Sequence, residues 1–380
     1  MTTIHRVPGP GLLLAGRYRL QSRIGDGGMG SVWLAKDELL NRDVAVKRIV
    51  ALDDIPEANA EPIREKALRE GRIAAKLTHH NAVAVDDVAL DDGTPWLVME
   101  YVPSRSVAQI LHTVGTLGAV DAAQIGAQVA AAMTVAHESG IIHRDVKPGN
   151  ILVASTGPDA GTVKLTDFGI AHLKDDDVHL DDELISGTPA YFAPEVARGA
   201  VPAEPSDVYS LGATIYTMVE GGPPFGADDD TTALLDKVAR AQIRPPQQAG
   251  PVEDVLLAML TPSPAKRPTM AQVRDQLAAV AATATRTTPD RVLAGKIRRA
   301  DGAVPVWALA TPQAPRMNTG SFRRSYVPAP PPSAHPMTAG TFAAHQSPPK
   351  TSVWQRHATL IASGAIAAAL FIVLIVLLLL

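Results

Sequence analysis

His143, Arg144, Asp145, Lys147 and Asn150 stand within one run of eight residues, and Asp167-Phe168-Gly169 begins seventeen residues after Asn150. Two carboxylates, an amide and a lysine at this spacing suit the orientation of a phosphate ester, the holding of a metal ion and attack by a hydroxyl. Asp145 is placed to accept a hydrogen bond from an incoming hydroxyl and to take its proton late in transfer. Lys147 can neutralise a γ-phosphate, while Asn150 and Asp167 can share a divalent ion. Each residue type is common in turns. What singles these out is their order, after a glycine loop and a VAVK segment.

The elements that must position them are legible upstream. Residues 18–20 and 31–35 read as strands flanking Gly25-Asp26-Gly27-Gly28-Met29-Gly30. Gly25, Gly27 and Gly30 let backbone amides approach phosphates closely, and Val32 offers an apolar surface over a purine. A dinucleotide-binding fold would place a helix directly after the glycines and an acidic residue about twenty positions on. Here VWLA continues as a strand into Lys36-Asp37. Val44-Ala45-Val46-Lys47 alternates as a strand whose lysine can point into the same cleft, with a carboxylate partner on the amphipathic segment 65–77, where Glu65 and Glu70 both qualify. Residues 96–102 form another apolar strand, with the backbone from Glu100 to Val102 as a hinge for an adenine edge and Met99 at the rear of the pocket. Ile125, Val129, Met133 and Ala136 recur at helical spacing over 121–139, and Gly140 ends that helix.

With these motifs in view, the chain resembles the eukaryotic-like Ser/Thr protein kinases of bacteria, in particular the membrane-anchored receptor-like kinases of actinobacteria. The resemblance covers about residues 18–280 and rests on GDGGMGSV, VAVK, Arg69-Glu70, VMEYV, HRDVKPGNIL, DFG, GTPAYFAPE, DVYSLG and KRPT. It implies an α+β, bilobal protein-kinase-like fold, with a strand-rich N-lobe at 18–100 and a mainly helical C-lobe at 103–280. It also implies ATP with Mg²⁺ or Mn²⁺ as cofactors and Ser/Thr-bearing proteins as substrates. By this resemblance Lys47 and Glu70 form the activating ion pair, and Asp145 is the catalytic aspartate with Lys147 and Asn150 as companions. Asp167 binds metal, and Gly25, Gly27, Gly30, Val32, Ala45, Met99, Glu100 and Val102 surround the nucleotide. Glu195 is expected to pair with Arg267, and Asp207 to anchor the catalytic loop. A catalytically silent nucleotide-binding scaffold is the alternative class.

The segment between Asp167 and Glu195 departs from the family pattern. It is acidic, with Asp175, Asp176, Asp177, Asp181, Asp182 and Glu183, and its hydroxyl acceptors before the APE motif are Ser186 and Thr188. In relatives, phosphorylated threonines here pair with the residue matching Arg144. Autophosphorylation is therefore expected on Thr283, Thr285, Thr287 and Thr288 instead, with Thr188 structural and close to Asp145. Pro103-Ser104-Arg105-Ser106 lacks an acidic ribose contact. His79-His80-Asn81 reads as a turn.

Composition divides the chain further. Residues 1–17 read as a leader. Residues 281–357 hold eleven prolines, and ten Lys or Arg against two Asp, which reads as a basic juxtamembrane linker. Within it the apolar island VPVWAL at 304–309 reads as incidental. Residues 358–380 carry no charge and no proline, long enough as a helix to cross a roughly 30 Å hydrocarbon layer. The expected topology is a single-pass cell-membrane protein with its kinase domain cytoplasmic, since the start lacks an export segment and Lys350 and Arg356 precede the span. The basic residues suit an anionic membrane surface, and their dispersal without aromatic interleaving argues against nucleic acid. A homodimer for trans-autophosphorylation is a further expected partner. The absence of cysteine excludes disulfides, thiolate catalysis and Cys-ligated metal sites.

Overall fold

Strand alternation decides the N-lobe. In the computed structural model, which describes residues 8–27, 30–49, 57–168, 188–226 and 230–309, six antiparallel strands make one sheet. They are β1 (Leu13–Leu14), β2 (Tyr18–Gly27), β3 (Gly30–Asp37), β4 (Arg42–Arg48), β5 (Val85–Asp91) and β6 (Thr94–Glu100), in the order β1-β2-β3-β4-β6-β5. Leu14, Leu20, Trp33, Ala35, Val44, Val46, Trp96 and Val98 share one buried face. Ala45, Leu97 and Met99, with Val32 beside them, share the other. That second face carries helix α1 (Glu57–Ala74) and overlooks the cleft. A Cβ at Gly71 on α1 would lie 2.8 Å from Val88 Cγ2, so glycine there permits the helix to approach the sheet at the level of Glu70. The expected leader is partly integral to this lobe: β1 pairs with β2, and Leu14 is buried.

A small sheet, β7 (Ser104–Ser106), β8 (Ile151–Ala154) and β9 (Val163–Leu165), opens the C-lobe. Helices α2 (Val107–Val114), α3 (Ala119–Glu138), α4 (Pro194–Ala197), α5 (Glu204–Glu220), α6 (Thr231–Ala239), α7 (Glu253–Met259), α8 (Met270–Thr285) and α9 (Pro289–Ala294) complete it. Ser106 caps α2 in a reciprocal bond with Gln109. The expected helix at 121–139 is α3, ended at Gly140. It is the core of the lobe: a Cβ at Gly126 would come within 2.7 Å of Ile215 on α5 and 2.9 Å of Leu277 on α8. Among the described residues α3 is the helix long and apolar enough to cross a membrane, and its burial inside the lobe accounts for that composition. The expected span at 358–380 lies outside the described residues.

The linker expected from 281 does not begin there. Residues 281–309 fold: α8 runs to Thr285, α9 follows, and a strap ends in a helical turn at Val306–Ala308. Val292, Ile297 and Ala308 are buried, and Trp307 Nε1 donates to Asp121 Oδ2 at 2.8 Å. The island at 304–309 therefore docks. Its apolar residues lack periodicity because they point to different surroundings: Ala308 is buried, Val304 and Trp307 pack against the core, and Val306 and Leu309 are exposed. Thr283 and Thr285 donate to carbonyls four residues back in α8, and Thr288 caps α9. These threonines are ordered in helices, contrary to the expectation of a freely available stretch.

Candidate active site

Period two puts Lys47 in the cleft. With Val44 and Val46 on the outer face of β4, Ala45 and Lys47 must face inward. Pairing across the sheet sets Val32 opposite Lys47 and Ala45 opposite Met99, and Leu152 of β8 packs against the same cluster. These side chains form the apolar walls expected of a purine pocket. Gly25 and Gly27 lie in β2, and Gly30 opens β3 opposite Gly27. At the hinge the Glu100 carboxylate accepts from Lys164 Nζ at 2.6 Å and from Ala84 N at 2.8 Å, so it ties the lobes together. Ser104 Oγ donates to the Val102 carbonyl at 2.9 Å.

The buried Lys47 ammonium lies 2.7 Å from Asp167 Oδ1. Sequence reasoning set Glu70 against it. Glu70 sits half-buried on α1 with Oε2 enclosed. The observed ion pair joins the phosphate-binding candidate to the metal-binding one across the cleft.

The catalytic loop hangs from α5. Asp207, almost fully buried, accepts from the His143 amide and the Arg144 amide at 2.8 Å each, and from His137 Nε2 at 2.9 Å. That grip sustains the left-handed backbone of Arg144, at φ 69°. Asn150 Nδ2 donates to the Asp145 carbonyl at 2.8 Å and to its carboxylate at 3.0 Å. Lys147 Nζ lies 2.8 Å from Asp145 Oδ2 and donates to Thr188 Oγ1 at 3.2 Å. Thr188 thus reaches Asp145 through Lys147. His143 Nε2 donates to the Thr166 carbonyl at 3.0 Å, and its ring packs on Phe168 with centroids 4.7 Å apart. Asp167 follows with φ 68°, a second left-handed residue at the reacting end. His137, Lys164 and Thr166 escaped sequence reasoning, because each acts through a backbone or carboxylate partner that no local spacing reveals.

Below the site, Arg267 forms a two-pronged pair with Glu195, at 2.6 and 2.7 Å. Arg267 also donates to the carbonyls of Thr261, Pro205 and Pro262, and stacks over Tyr209. Burial is the largest single influence and raises the Glu195 carboxyl, but the hydrogen bonds and charge of Arg267, a backbone hydrogen bond and the Ser206 hydroxyl together outweigh it and leave the group below its ordinary range. The turn at His79–Asn81 is structural: Asn81 N donates to His79 Nδ1, and burial first, then His80 and Lys164, bring the His79 imidazole down to about 4.

Among the described residues no group of three or more His, Asp and Glu forms a metal cluster. Asn150, whose Nδ2 is spent on Asp145, keeps its amide oxygen available, and Asp167 offers a carboxylate. Two hard oxygen donors fit Mg²⁺ or Mn²⁺ when phosphate oxygens and water complete the shell. Gly169, Ser186 and the acidic run lie outside the described residues.

Comparison with known proteins agrees with this geometry. The Protein kinase domain family matches residues 18–277. A probable serine/threonine-protein kinase of Clostridium perfringens is 40% identical over 62% of this chain and 33% of its own length. The serine/threonine-protein kinase PksC of Streptomyces coelicolor is 34% identical over 88% of this chain and 61% of its own. PknA of Mycobacterium tuberculosis is 37% identical over 68% of this chain and 60% of its own. The chain thus spans one third to about three fifths of the length of these curated relatives. The crystal structure of the Mycobacterium tuberculosis PknI kinase domain superposes with a TM-score of 0.54 at 27% identity, over 72% of this chain and all of that one. With a bilobal fold, a loop anchored on Asp207 and a family match across both lobes, the chain belongs to the protein kinase domain family, and its kinase domain is of the Hanks Ser/Thr type, closely related to those of the actinobacterial receptor-like kinases.

Proposed function

We propose that this protein transfers the γ-phosphoryl group of ATP to serine and threonine hydroxyls of proteins, its own chain included, in signalling at a membrane. The observation carrying this reading is the convergence of Asp145, Lys147 and Asn150 with Lys47 and Asp167 at one cleft. The adenine edge meets the hinge backbone at Glu100 and Val102, between Val32, Ala45 and Met99, and the glycine loop covers the phosphates. Lys47 leaves Asp167 for the α- and β-phosphates, with Glu70 as its partner. Asp167 and Asn150 are thereby available to a divalent ion, which when bound neutralises phosphate charge. Asp145 orients the substrate hydroxyl. As the new O–P bond forms and the bond from the γ-phosphorus to the bridging oxygen of ADP breaks, the hydroxyl proton passes to Asp145. Lys147 faces the transferring group, with Thr188 holding its ammonium.

Arg144 Nε is buried without a hydrogen-bond partner among the described residues, which supports an anion from the activation segment as its partner. Residues 358–380 anchor the chain in the membrane, with the kinase domain on the cytoplasmic side. Anionic lipids and a second copy of the chain are its further partners. Nucleotide-dependent autophosphorylation by the wild type, absent from D145N at the same folded concentration, is the expected result. Equal incorporation of phosphate by D145N would reject the assignment.

A further inference from the structure

The strap at 289–309 does more than cover the C-lobe. Gln128 Nε2, fully buried on α3, donates to the Val292 carbonyl at 2.9 Å. His80 Nε2 donates to the Leu293 carbonyl at 2.8 Å. Gln124 exchanges two bonds of 2.9 Å with the Arg298 backbone, and the Ile297 amide donates to the Gly161 carbonyl at 2.9 Å.

On the other side of Gln128, its Oε1 accepts from Asn81 Nδ2 at 3.1 Å. Asn81 Nδ2 also donates to the Val163 carbonyl at 2.8 Å, and the Asn81 carbonyl accepts from the Leu165 amide at 2.7 Å. Both bonds hold β9, the strand that runs into Thr166 and Asp167. A carbonyl only accepts, so the bond to Val163 fixes which end of the Asn81 amide donates. Gln128 must then present its oxygen to Asn81 and find an acceptor for its nitrogen. The strap supplies that acceptor. Without it a fully buried Nε2 is left unsatisfied, and nothing opposes reversal of the Gln128 amide, which would set donor against donor at Asn81.

We infer that the strap is a positioning element for phosphoryl transfer: through the Val292 carbonyl it fixes Gln128, and through Asn81 it sets the strand that delivers Asp167. The inference rests on the kinase reading above. It also makes the stretch leading to 310–357 part of the machinery rather than a spacer.

The test uses the full chain in nanodiscs, with casein as protein substrate, and the variants Q128M, V292D and their combination. Hydrogen exchange at residues 161–168 is followed alongside kinetics at 20 °C. In each single variant the expected kcat is at least tenfold lower, with KM for casein within twofold of wild type. The half-saturating Mg²⁺ concentration is expected several-fold higher, and exchange at the Leu165 and Thr166 amides faster. The double variant should be no worse than the more severe single, because both break one relay. Folded variants with wild-type exchange at those amides and kcat within twofold overturn the proposal, as do losses that multiply in the double variant. If V292D does not fold, I297A replaces it under the same criteria. A wild type that transfers no phosphate would sink the kinase reading alone, since exchange at Leu165 and Thr166 still reports whether the strap holds β9.

Discussion

Lys47 shows how one side chain is committed by its surroundings. Its stem lies in an apolar wall, and its ammonium lies 2.7 Å from the Asp167 carboxylate. K47M keeps the stem and removes the charge. It is expected to fold as wild type while phosphate transfer falls about 10²–10³-fold, the scale of losing one charge stabiliser in a water-poor site. Radiolabelled phosphate incorporation at saturating ATP, beside a thermal melt, measures both. Arg144 and Asp167 make a second point: left-handed backbone at ordinary residues costs about 1–3 kcal/mol each and persists only where neighbours over-determine it. At Arg144 the neighbour is Asp207, which holds two successive amides.

At the scale of elements, two tertiary ties carry opposite electrostatic signs. The Glu195–Arg267 pair locks α4 to the turn before α8, and the Arg267 side chain is wholly buried. Removing the acid strands that charge, so E195A is expected to cost about 3 kcal/mol, the lower end for a broken buried pair because three carbonyls still accept from Arg267. Glu195 sits below its ordinary value, so its contribution is present at neutral pH and is lost on acidification through that lowered value; urea melts of E195A should converge with wild type in acid.

Asp121, the acceptor for Trp307, is the reverse case. Burial raises its carboxyl, against lowering by the indole N–H and Arg299. A raised carboxyl stabilises fully below its unfolded value of about 3.9 and loses that contribution as pH rises through the folded value. D121N, which keeps an acceptor and carries no charge, should match or exceed the wild-type Tm at pH 7, with the gap closing toward pH 4. D121L leaves the indole N–H unsatisfied and should lose about 1–3 kcal/mol. Equal destabilisation by both variants at pH 7 would contradict this account.

For the whole molecule the folded unit is longer than its composition suggests. A chain ending at Val280 would discard Val292, Ile297 and Ala308, all buried, and expose Gln124 and Gln128. At about 1.5–3 kcal/mol for each large buried aliphatic side chain, it should be several kcal/mol less stable than a chain ending at Leu309. Calorimetry of the two chains decides it. A cavity of about 980 Å³ lies between α2, α3, α8 and the strap, away from the catalytic loop.

The sequence by itself determined what is local and repetitive. Alternation put Ala45 and Lys47 on one face, helical spacing marked α3, and the order of HRD, Asn150 and DFG marked the protein kinase domain family. Glu195–Arg267 and Asp207 were reached only through family resemblance, since their partners lie 72 and 64 residues away. The docking of Trp307 on Asp121, 186 residues distant, and of Val292 on Gln128, 164 residues distant, was decided by tertiary structure alone. Proline-rich, aperiodic sequence lacks a face of its own, and its order comes from gaps and unsatisfied amides on a surface that exists only once α3 has folded.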